Sequence, residues 1–319
     1  MHKRPNFWKV YHASRKYDDK KTLSFIGCVV RNQKRPFKKK GRRGRKFKFD
    51  AYDYAIYIIY TDMKNYSYRD AESCAPLILG KTLDHSTFGK IYKKLPLNYV
   101  KRMRRLLRSL IVCGGMEFVR IPDSTGVETD RYEHIQKIRK KRRRKHLKRH
   151  IISNYFPDFG ISVIEASRTT KGYANDSPQL RRMVEEENCQ GGLLLADRGY
   201  DNPKNRSFCE AKNIKTVIKL RGDIPFSNKI HEMFYRKLRG LVETNFGGFE
   251  SWQGNKTRKR LPETQSIDIE LMSVVQMIRT YFKILEIEKL VLRFLDLIFR
   301  QPPHNLFFFK KFLNKCDCF

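Results

Sequence analysis

The chain has 319 residues, enough for one large domain or two smaller ones with a hydrophobic core. Lysine and arginine number 68 against 33 aspartates and glutamates, giving a formal net charge of +35. Because such a charge attracts polyanions, nucleic acid is the leading predicted partner, and an anionic membrane surface is the competing one. The hydrophobic content of 40% favours a globular enzyme over a ribosomal or packaging protein.

The N-terminus and the cysteines indicate a reduced, cytoplasmic protein. The first ten residues lack the apolar segment of a signal peptide, and no apolar run is long enough to span a membrane. Seven cysteines stand at irregular spacing, which fits neither a disulfide framework nor paired CxxC zinc motifs. Cys316 and Cys318 are close enough to share a metal, but no second pair matches them.

Residues 1–50 are predicted to form a basic N-terminal arm. Between positions 34 and 46 the sequence is dense in lysine and arginine and contains two glycines and a proline. Such a segment cannot bury enough apolar surface to offset the entropy of ordering it. It is either a solvated arm or a clamp on the DNA backbone.

Residues 51–112 are predicted to form a helical, helix-turn-helix-like DNA-binding region. Ser67 and Asp70 have the spacing of a capping box, and Pro76 is expected to interrupt the helix that follows. Asp84 and Asn98 are expected to cap the next two helices.

The last of these helices has a basic face. Arg104 and Arg105 are predicted to lie on that outward face and to contact DNA. A plain helical bundle stays open as an alternative, because helical periodicity is the same in both cases.

Residues 113–250 are predicted to form an RNase H-like domain. Three strands in a meander are followed by alternating helices and strands, so the expected fold class is α/β, with a mixed sheet flanked by helices. Asp176 and Asp201 are expected to cap helices of this domain. Residues 251–319 are predicted to form a helical C-terminal region that packs on the core or on another subunit.

Three carboxylates of this domain are the candidate catalytic groups. Asp197 follows the apolar run 193–196, Asp123 ends an extended run that begins at 116, and Glu243 lies in a helix-like segment. A carboxylate at a strand end opens onto the cleft of an α/β sheet, and three of them could hold two Mg²⁺ or Mn²⁺ ions about 3.5–4 Å apart. Each also has a simpler interpretation: Asp123 as the start of an Asx-turn, Asp197 as a turn cap, and Glu243 as an ion-pair partner of Arg239.

The segments around these acids resemble the DDE transposases of prokaryotic insertion sequences, of the IS-four/IS-five type. The resemblance rests on residues 122–126, 170–177, 196–201 and 239–247. It implies that Asp123, Asp197 and Glu243 are the catalytic, metal-binding acids. It also implies cleavage of double-stranded DNA at the ends of the element, transfer of the freed 3′-hydroxyls into target DNA, and a homodimer in the synaptic complex. Such a protein is expected to be associated with the nucleoid.

The resemblance also implies contacts to DNA. Arg239 is expected to face phosphate and Tyr235 to contact the same strand. The basic run of the domain is expected to hold DNA by charge through Arg142, Arg143, Arg144 and Lys145.

The sequence departs from the family's Tyr-x2-Arg-x3-Glu-x6-Lys pattern. Tyr235 lies one position too far upstream, and position 250, where the lysine is expected, is Glu250. Lys256 and Lys259 are candidates to replace it. Two alternatives therefore stay open: a catalytically inactive DNA-binding protein derived from a transposase, and a metal-dependent nuclease that cuts but does not join.

Overall fold

Within the part of the chain that the structure describes, five helices precede the sheet in the computed structural model. They are α1 (Asp19–Arg31), α2 (Ala51–Met63), α3 (Tyr68–Leu79), α4 (His85–Tyr92) and α5 (Leu97–Ile111). The structure describes residues 19–37, 47–112, 117–129, 136–138, 141–143, 146–157, 160–220, 232–233, 235–236, 256–257, 259 and 261–299.

The ends of these helices follow the capping predictions in part. Ser67 and Asp70 form the predicted capping box, and Asp84 caps α4 by accepting two backbone N–H groups. Helix α3 nevertheless continues through Pro76 and ends at Leu79. A proline removes only one backbone hydrogen bond from a helix, and the last turn of α3 keeps its backbone hydrogen bond. Helix α5 has no side-chain cap, so the prediction that Asn98 caps it is wrong.

Helix α1 lies within the segment predicted as a basic arm. Thr22, Ile26, Val29 and Val30 are buried at helical spacing, so this part of the segment packs as a helix with an apolar face. The neighbouring lysines make the segment basic overall, so its charge alone does not indicate that one side of the helix is apolar. Most of the dense basic run, residues 38–46, lies outside the described residues.

The main sheet combines an antiparallel meander with two parallel strands. Strands β1 (Val119–Glu128), β4 (His146–Phe156) and β5 (Ile161–Lys171) form the meander, and β6 (Leu193–Ala196) and β7 (Lys215–Ile218) extend it from β1. The spatial order is β5-β4-β1-β6-β7. Helices α6 (Asp176–Glu186) and α7 (Pro203–Glu210) separate the later strands. The predicted α/β class, with an RNase H-like mixed sheet flanked by helices, is confirmed.

A short hairpin stands between β1 and β4. Its strands are β2 (Gln136–Ile138) and β3 (Lys141–Arg143), paired antiparallel. Arg142 and Arg143 lie in β3, while their side chains, together with Arg144 and Lys145, fall outside what is described.

Both faces of the sheet are covered. On one face Ile152, Leu194 and Ile218 pack with residues of α6 and α7. On the other face Ile121, Leu195 and Tyr235 form a second apolar cluster. Because both faces are buried, the sequence of β6 is apolar throughout and does not alternate between apolar and polar residues.

Helix α8 (Pro262–Phe299) follows the sheet. Residues 19–280 form one compact unit, and the described part of the other unit is the end of α8, residues 281–299. Ile269, Val274 and Ile278 of α8 are fully buried. Among the described residues, no helix is long and apolar enough to cross a membrane.

Arg104, predicted to face DNA, is buried. Its side chain is 0% exposed, and it pairs with Glu187 at 2.6 Å and with Glu270 of α8 at 2.9 Å. The prediction of a DNA contact is therefore wrong, because two carboxylates hold this cation on the inward face of α5. Arg105 pairs with Glu187 from outside, at 3.0 Å, and its side chain is 40% exposed.

The C-terminal end of the basic run, at Arg149, enters the sheet. The side chain of Arg149 is fully buried, and its Nη2 donates to Ser273 Oγ of α8 at 2.8 Å. Burial lowers the pKa of its guanidinium to about 10. Arg149 thus belongs to the core and not to the surface that the basic run, residues 139–149, was expected to present to DNA.

Lys259, a candidate for the missing lysine, is buried in a cluster that joins α2, α4 and α8. Its ammonium lies 3.5 Å from Asp62, 3.8 Å from Asp268 and 4.1 Å from the centre of the Tyr92 ring. The Tyr92 hydroxyl donates to Asp62 at 2.7 Å. Because Lys259 is only 7% exposed, it is not placed to contact DNA.

Candidate active site

Parallel pairing of β1 and β6 brings two of the predicted acids to one level. Arg120 pairs with Leu194, and Asp123 and Asp197 each lie three residues further along their chains. Residues at one level of adjacent parallel strands point to the same face of a sheet. We therefore place both carboxylates at the carboxyl end of β6, on one face.

Asp123 lies within its strand rather than at the end, contrary to the prediction. Strand β1 pairs with β4 along its whole length, from Val119 to Glu128, whereas its pairing with β6 stops at Arg120. The chain of β6 ends at Ala196, so β1 continues beside a gap at the sheet edge. Such a gap between neighbouring strands is the usual place for a ligand in an open α/β sheet.

Backbone N–H groups orient both carboxylates. Asp123 Oδ1 accepts the N–H of Ser124 at 2.7 Å, and Asp197 Oδ1 accepts the N–H of Arg198 at 2.7 Å. Both aspartates are partly exposed. The two groups are therefore held in place and accessible, as ligands of an ion must be.

Tyr235 reaches the same site from the second apolar cluster. Its ring packs with Ile121 and Leu195, and it is only 5% exposed. Its hydroxyl donates to Asp197 Oδ1 at 3.0 Å. The residue expected at a DNA strand is thus in direct contact with a predicted metal ligand. The other two residues of that segment, Arg239 and Glu243, lie outside the described residues and stay predictions.

Asp176 forms a second charged group behind the site. Its carboxylate lies 2.7 Å from Lys148 Nζ and 3.2 Å from His150 Nδ1, and it accepts the Ser124 hydroxyl at 2.9 Å. Burial raises the pKa of Asp176, but the hydrogen bonds from these three residues outweigh it and lower the pKa to about 2.

The sequence did not reveal this role of Asp176. The expected N-cap roles of Asp176 and Asp201 fall to their neighbours Asn175 and Asn202. The spacing of Lys148 and His150 is the signal that could have indicated a partner for Asp176. The two residues are two positions apart in β4, so they lie on one face of the sheet.

Tyr200 lies near the aspartates of the candidate site. Tyr200 is buried, and burial raises its pKa well above the ordinary value, with further increases from the charges of Asp176, Asp123 and Asp197. All three acids are therefore within electrostatic range of one side chain.

The donor set fits a hard divalent cation. Carboxylate oxygens are the ligands that Mg²⁺ and Mn²⁺ prefer, and neither a cysteine nor a histidine is among the predicted ligands. Within the described residues, three potential ligands approach within 4.8 Å of one another at Glu72, Asp84 and His85. That group is accounted for by an N-cap and by a Glu72–His85 pair at 2.7 Å.

Comparisons with known proteins give one family. The family model described as "Transposase DDE domain" matches residues 116–278. A search of curated proteins finds no match.

Two solved structures are similar to the chain. One is a piggyBac transposase synaptic complex with hairpin DNA, 11% identical, with 97% of this chain and 85% of that chain covered and a TM-score of 0.44. The other is a Mos1 transposase paired-end complex with the left transposon end, 10% identical, with 65% of this chain and 79% of that chain covered and a TM-score of 0.24.

Proposed function

The chain belongs to the family of DDE transposases, and from that premise we propose that Asp123, Asp197 and Glu243 form its reaction centre. The protein cleaves DNA and transfers strands. We propose that its cofactors are two Mg²⁺ or Mn²⁺ ions. The observation that carries the proposal is that Asp123 in β1 and Asp197 directly after β6 each lie three residues beyond the paired Arg120 and Leu194, with Tyr235 donating to Asp197.

Phosphodiester cleavage by metal ions requires several carboxylates at one site, although the protein as a whole is positively charged. When bound, two such ions would supply the activation of the attacking water or 3′-hydroxyl and the stabilisation of the leaving oxygen of the phosphodiester. Asp123 and Asp197 supply hard oxygen ligands from rigid strands, and Glu243 completes the set in this proposal. Tyr235 holds the Asp197 carboxylate in one orientation through its hydroxyl. Positioning of this kind is what a reaction at phosphorus requires from the protein.

DNA binding is proposed to use charge outside the core. The net charge of +35 supports a double-stranded DNA partner, both element ends and target. The proposed contacts are Arg105, Arg239 and the run Arg142, Arg143, Arg144 and Lys145, whereas Tyr235 is 5% exposed and directs its hydroxyl to Asp197. The helical region 51–112 is proposed to bind DNA as well. Because two element ends must be joined, we further propose a homodimer in the synaptic complex and association with the nucleoid.

Strand cleavage and joining on a labelled duplex test the proposal. The duplex carries the sequences that flank the gene, and the reaction is run with Mg²⁺, with Mn²⁺ and with EDTA. Wild type is compared with Asp123→Ala, Asp197→Ala and Glu243→Ala. We expect joined product with either metal, and a loss of about a thousandfold or more in each variant, because each removes a ligand.

Three outcomes would contradict the proposal in different ways. Cleavage without joined product would indicate a nuclease. Salt-sensitive DNA binding without chemistry in either metal would indicate an inactive, DNA-binding derivative. Full activity of Glu243→Ala, with loss in both aspartate variants, would remove Glu243 from the centre.

A further inference from the structure

Ser124 connects the two faces of the sheet beside the proposed centre. Its hydroxyl donates to Asp176 Oδ1 at 2.9 Å, and its backbone N–H donates to Asp123 Oδ1 at 2.7 Å. One residue therefore holds a carboxylate on each side. A displacement of Ser124 would shift both hydrogen bonds together.

The strand register assigns these hydrogen bonds to opposite faces. Ser124 is opposite His150, and Gly126 is opposite Lys148, and directly opposed residues share a face of an antiparallel pair. Ser124, His150 and Lys148 therefore share the face on which α6 begins with Asp176. Asp123 follows Ile121 by two residues and so points to the other face.

Asp176 accepts hydrogen bonds from Ser124 and Lys148 and lies beside His150. Its Oδ1 is contacted by Ser124, Lys148 and His150, and its Oδ2 accepts from Lys148 Nζ at 2.8 Å. The side chain of His150 is 0% exposed, that of Lys148 is 20% exposed and that of Asp176 is 23% exposed. The Lys148 ammonium on the far face of β1 makes Asp176 a poor ligand for a further cation and a firm anchor for Ser124.

We propose that Asp176 is a positioning residue, which acts through Ser124 to fix the Asp123 carboxylate for metal binding. This inference rests on the proposed function, because it requires Asp123 to be a metal ligand. Hydrogen-bond partners behind a ligand set its orientation, and their removal lowers metal affinity about 10–100-fold. In this proposal Asp176 is not itself a ligand, because it acts on the metal site only through Ser124 and Asp123.

Calorimetric titration of the full chain with Mn²⁺, without DNA, tests the inference. Ser124→Ala removes the connecting hydroxyl, Ser124→Thr retains it, and Asp176→Asn removes the anchoring charge. We expect the Kd for Mn²⁺ to rise about tenfold in Ser124→Ala and in Asp176→Asn, and to return close to the wild-type value in Ser124→Thr. Glu185→Gln is the matched control, because Glu185 is an exposed acid on the same helix α6.

Each other outcome has one meaning. An unchanged Kd in Ser124→Ala would overturn the inference, even if its unfolding temperature fell, because the network would then only attach α6 to the sheet. If Asp176→Asn does not fold, the comparison of Ser124→Ala with Ser124→Thr decides. An unchanged Kd in Asp123→Ala, or no binding by wild type, would overturn the proposed metal site and this inference with it.

Discussion

A single hydroxyl links the apolar core to the chemistry of this protein. Tyr235 buries its ring against Ile121 and Leu195 and extends its oxygen to Asp197. A tyrosine suits this task because an apolar body and a polar tip are joined in one rigid group. The packing of the core thereby fixes the direction of a carboxylate at the surface of the site.

Tyr235→Phe is expected to separate these two roles. The ring stays in its cluster, so the fold is kept, whereas Asp197 loses a donor. A hydrogen bond to a charged acceptor contributes about 1.5 kcal/mol or more, so we expect the cleavage rate to fall about tenfold. Cleavage kinetics and thermal unfolding measure the two effects. Glu232→Gln, in the same segment, is the control and should keep the wild-type rate. Equal rates for Tyr235→Phe and wild type would show that the hydroxyl does not matter.

Elements of the fold are joined by buried charges. Helix α5 meets α8 through Arg104 and Glu270, and α2 and α4 meet α8 through Asp62, Tyr92 and Asp268. Charges inside a protein are costly unless they are paired, so removing one partner leaves the other uncompensated.

Arg104→Met should therefore destabilise the protein strongly. It leaves the buried carboxylates of Glu187 and Glu270 without their common cation, at a cost of about 3–5 kcal/mol in the free energy of unfolding. Arg105→Met removes a half-exposed partner of Glu187, and we expect a decrease below about 1 kcal/mol. Urea unfolding measures both. Similar values for the two variants would contradict the burial described for Arg104.

The Asp62 cluster predicts a pH dependence of stability. Burial raises the pKa of Asp62 from 3.8 to about 6, although Lys259 opposes that rise. The native state then binds this proton more tightly than the unfolded state. Hence the contribution of Asp62 to stability is highest at acid pH and falls as pH rises through about 6.

Asp62→Asn removes that titration. Relative to wild type, the unfolding temperature of the variant should increase between pH 4.5 and pH 7.5, whatever its absolute value. Asp53→Asn, which breaks the exposed Arg31–Asp53 pair on the same helix, should show no such trend. A constant difference between Asp62→Asn and wild type across this pH range would refute the prediction.

Local patterns in the sequence predicted the elements better than they predicted the burial of charge. The capping box at Ser67, the strand before Asp197 and the mixed sheet all follow from short-range rules and alternation. Arg104 and Arg149 were assigned to the surface because a cation is normally exposed. Their partners Glu270 and Ser273 are more than 100 positions away, so only the tertiary structure shows why they are inside.

The candidate site shows the same division. Asp123 and Asp197 were accessible to prediction because each follows an apolar run. The role of Asp176 could not be predicted in this way, because it depends on contacts with Lys148 and His150, which belong to strand β4.

At the scale of the whole molecule, charge is expected to govern encounter with DNA. With a net charge of +35, affinity for duplex DNA should fall steeply with salt. In Arg142→Ala/Arg143→Ala the slope of log K against log salt should become less steep by about 0.9 for each phosphate that the variant no longer neutralises. Lys204→Ala/Lys215→Ala removes the same charge from exposed positions elsewhere and should change the slope less. Fluorescence anisotropy between low and high KCl measures it. Equal slopes for both double variants would leave the hairpin without a special role.

The placement of α8 has a consequence for the biosynthesis of this protein. Asp268, Glu270 and Ser273 are partners of buried groups on α4, α5 and β4, and all three are synthesised more than 100 residues after those partners. Until the ribosome has passed them, Arg104 and Arg149 have no complete set of partners. A nascent or prematurely terminated chain therefore cannot close its core around them.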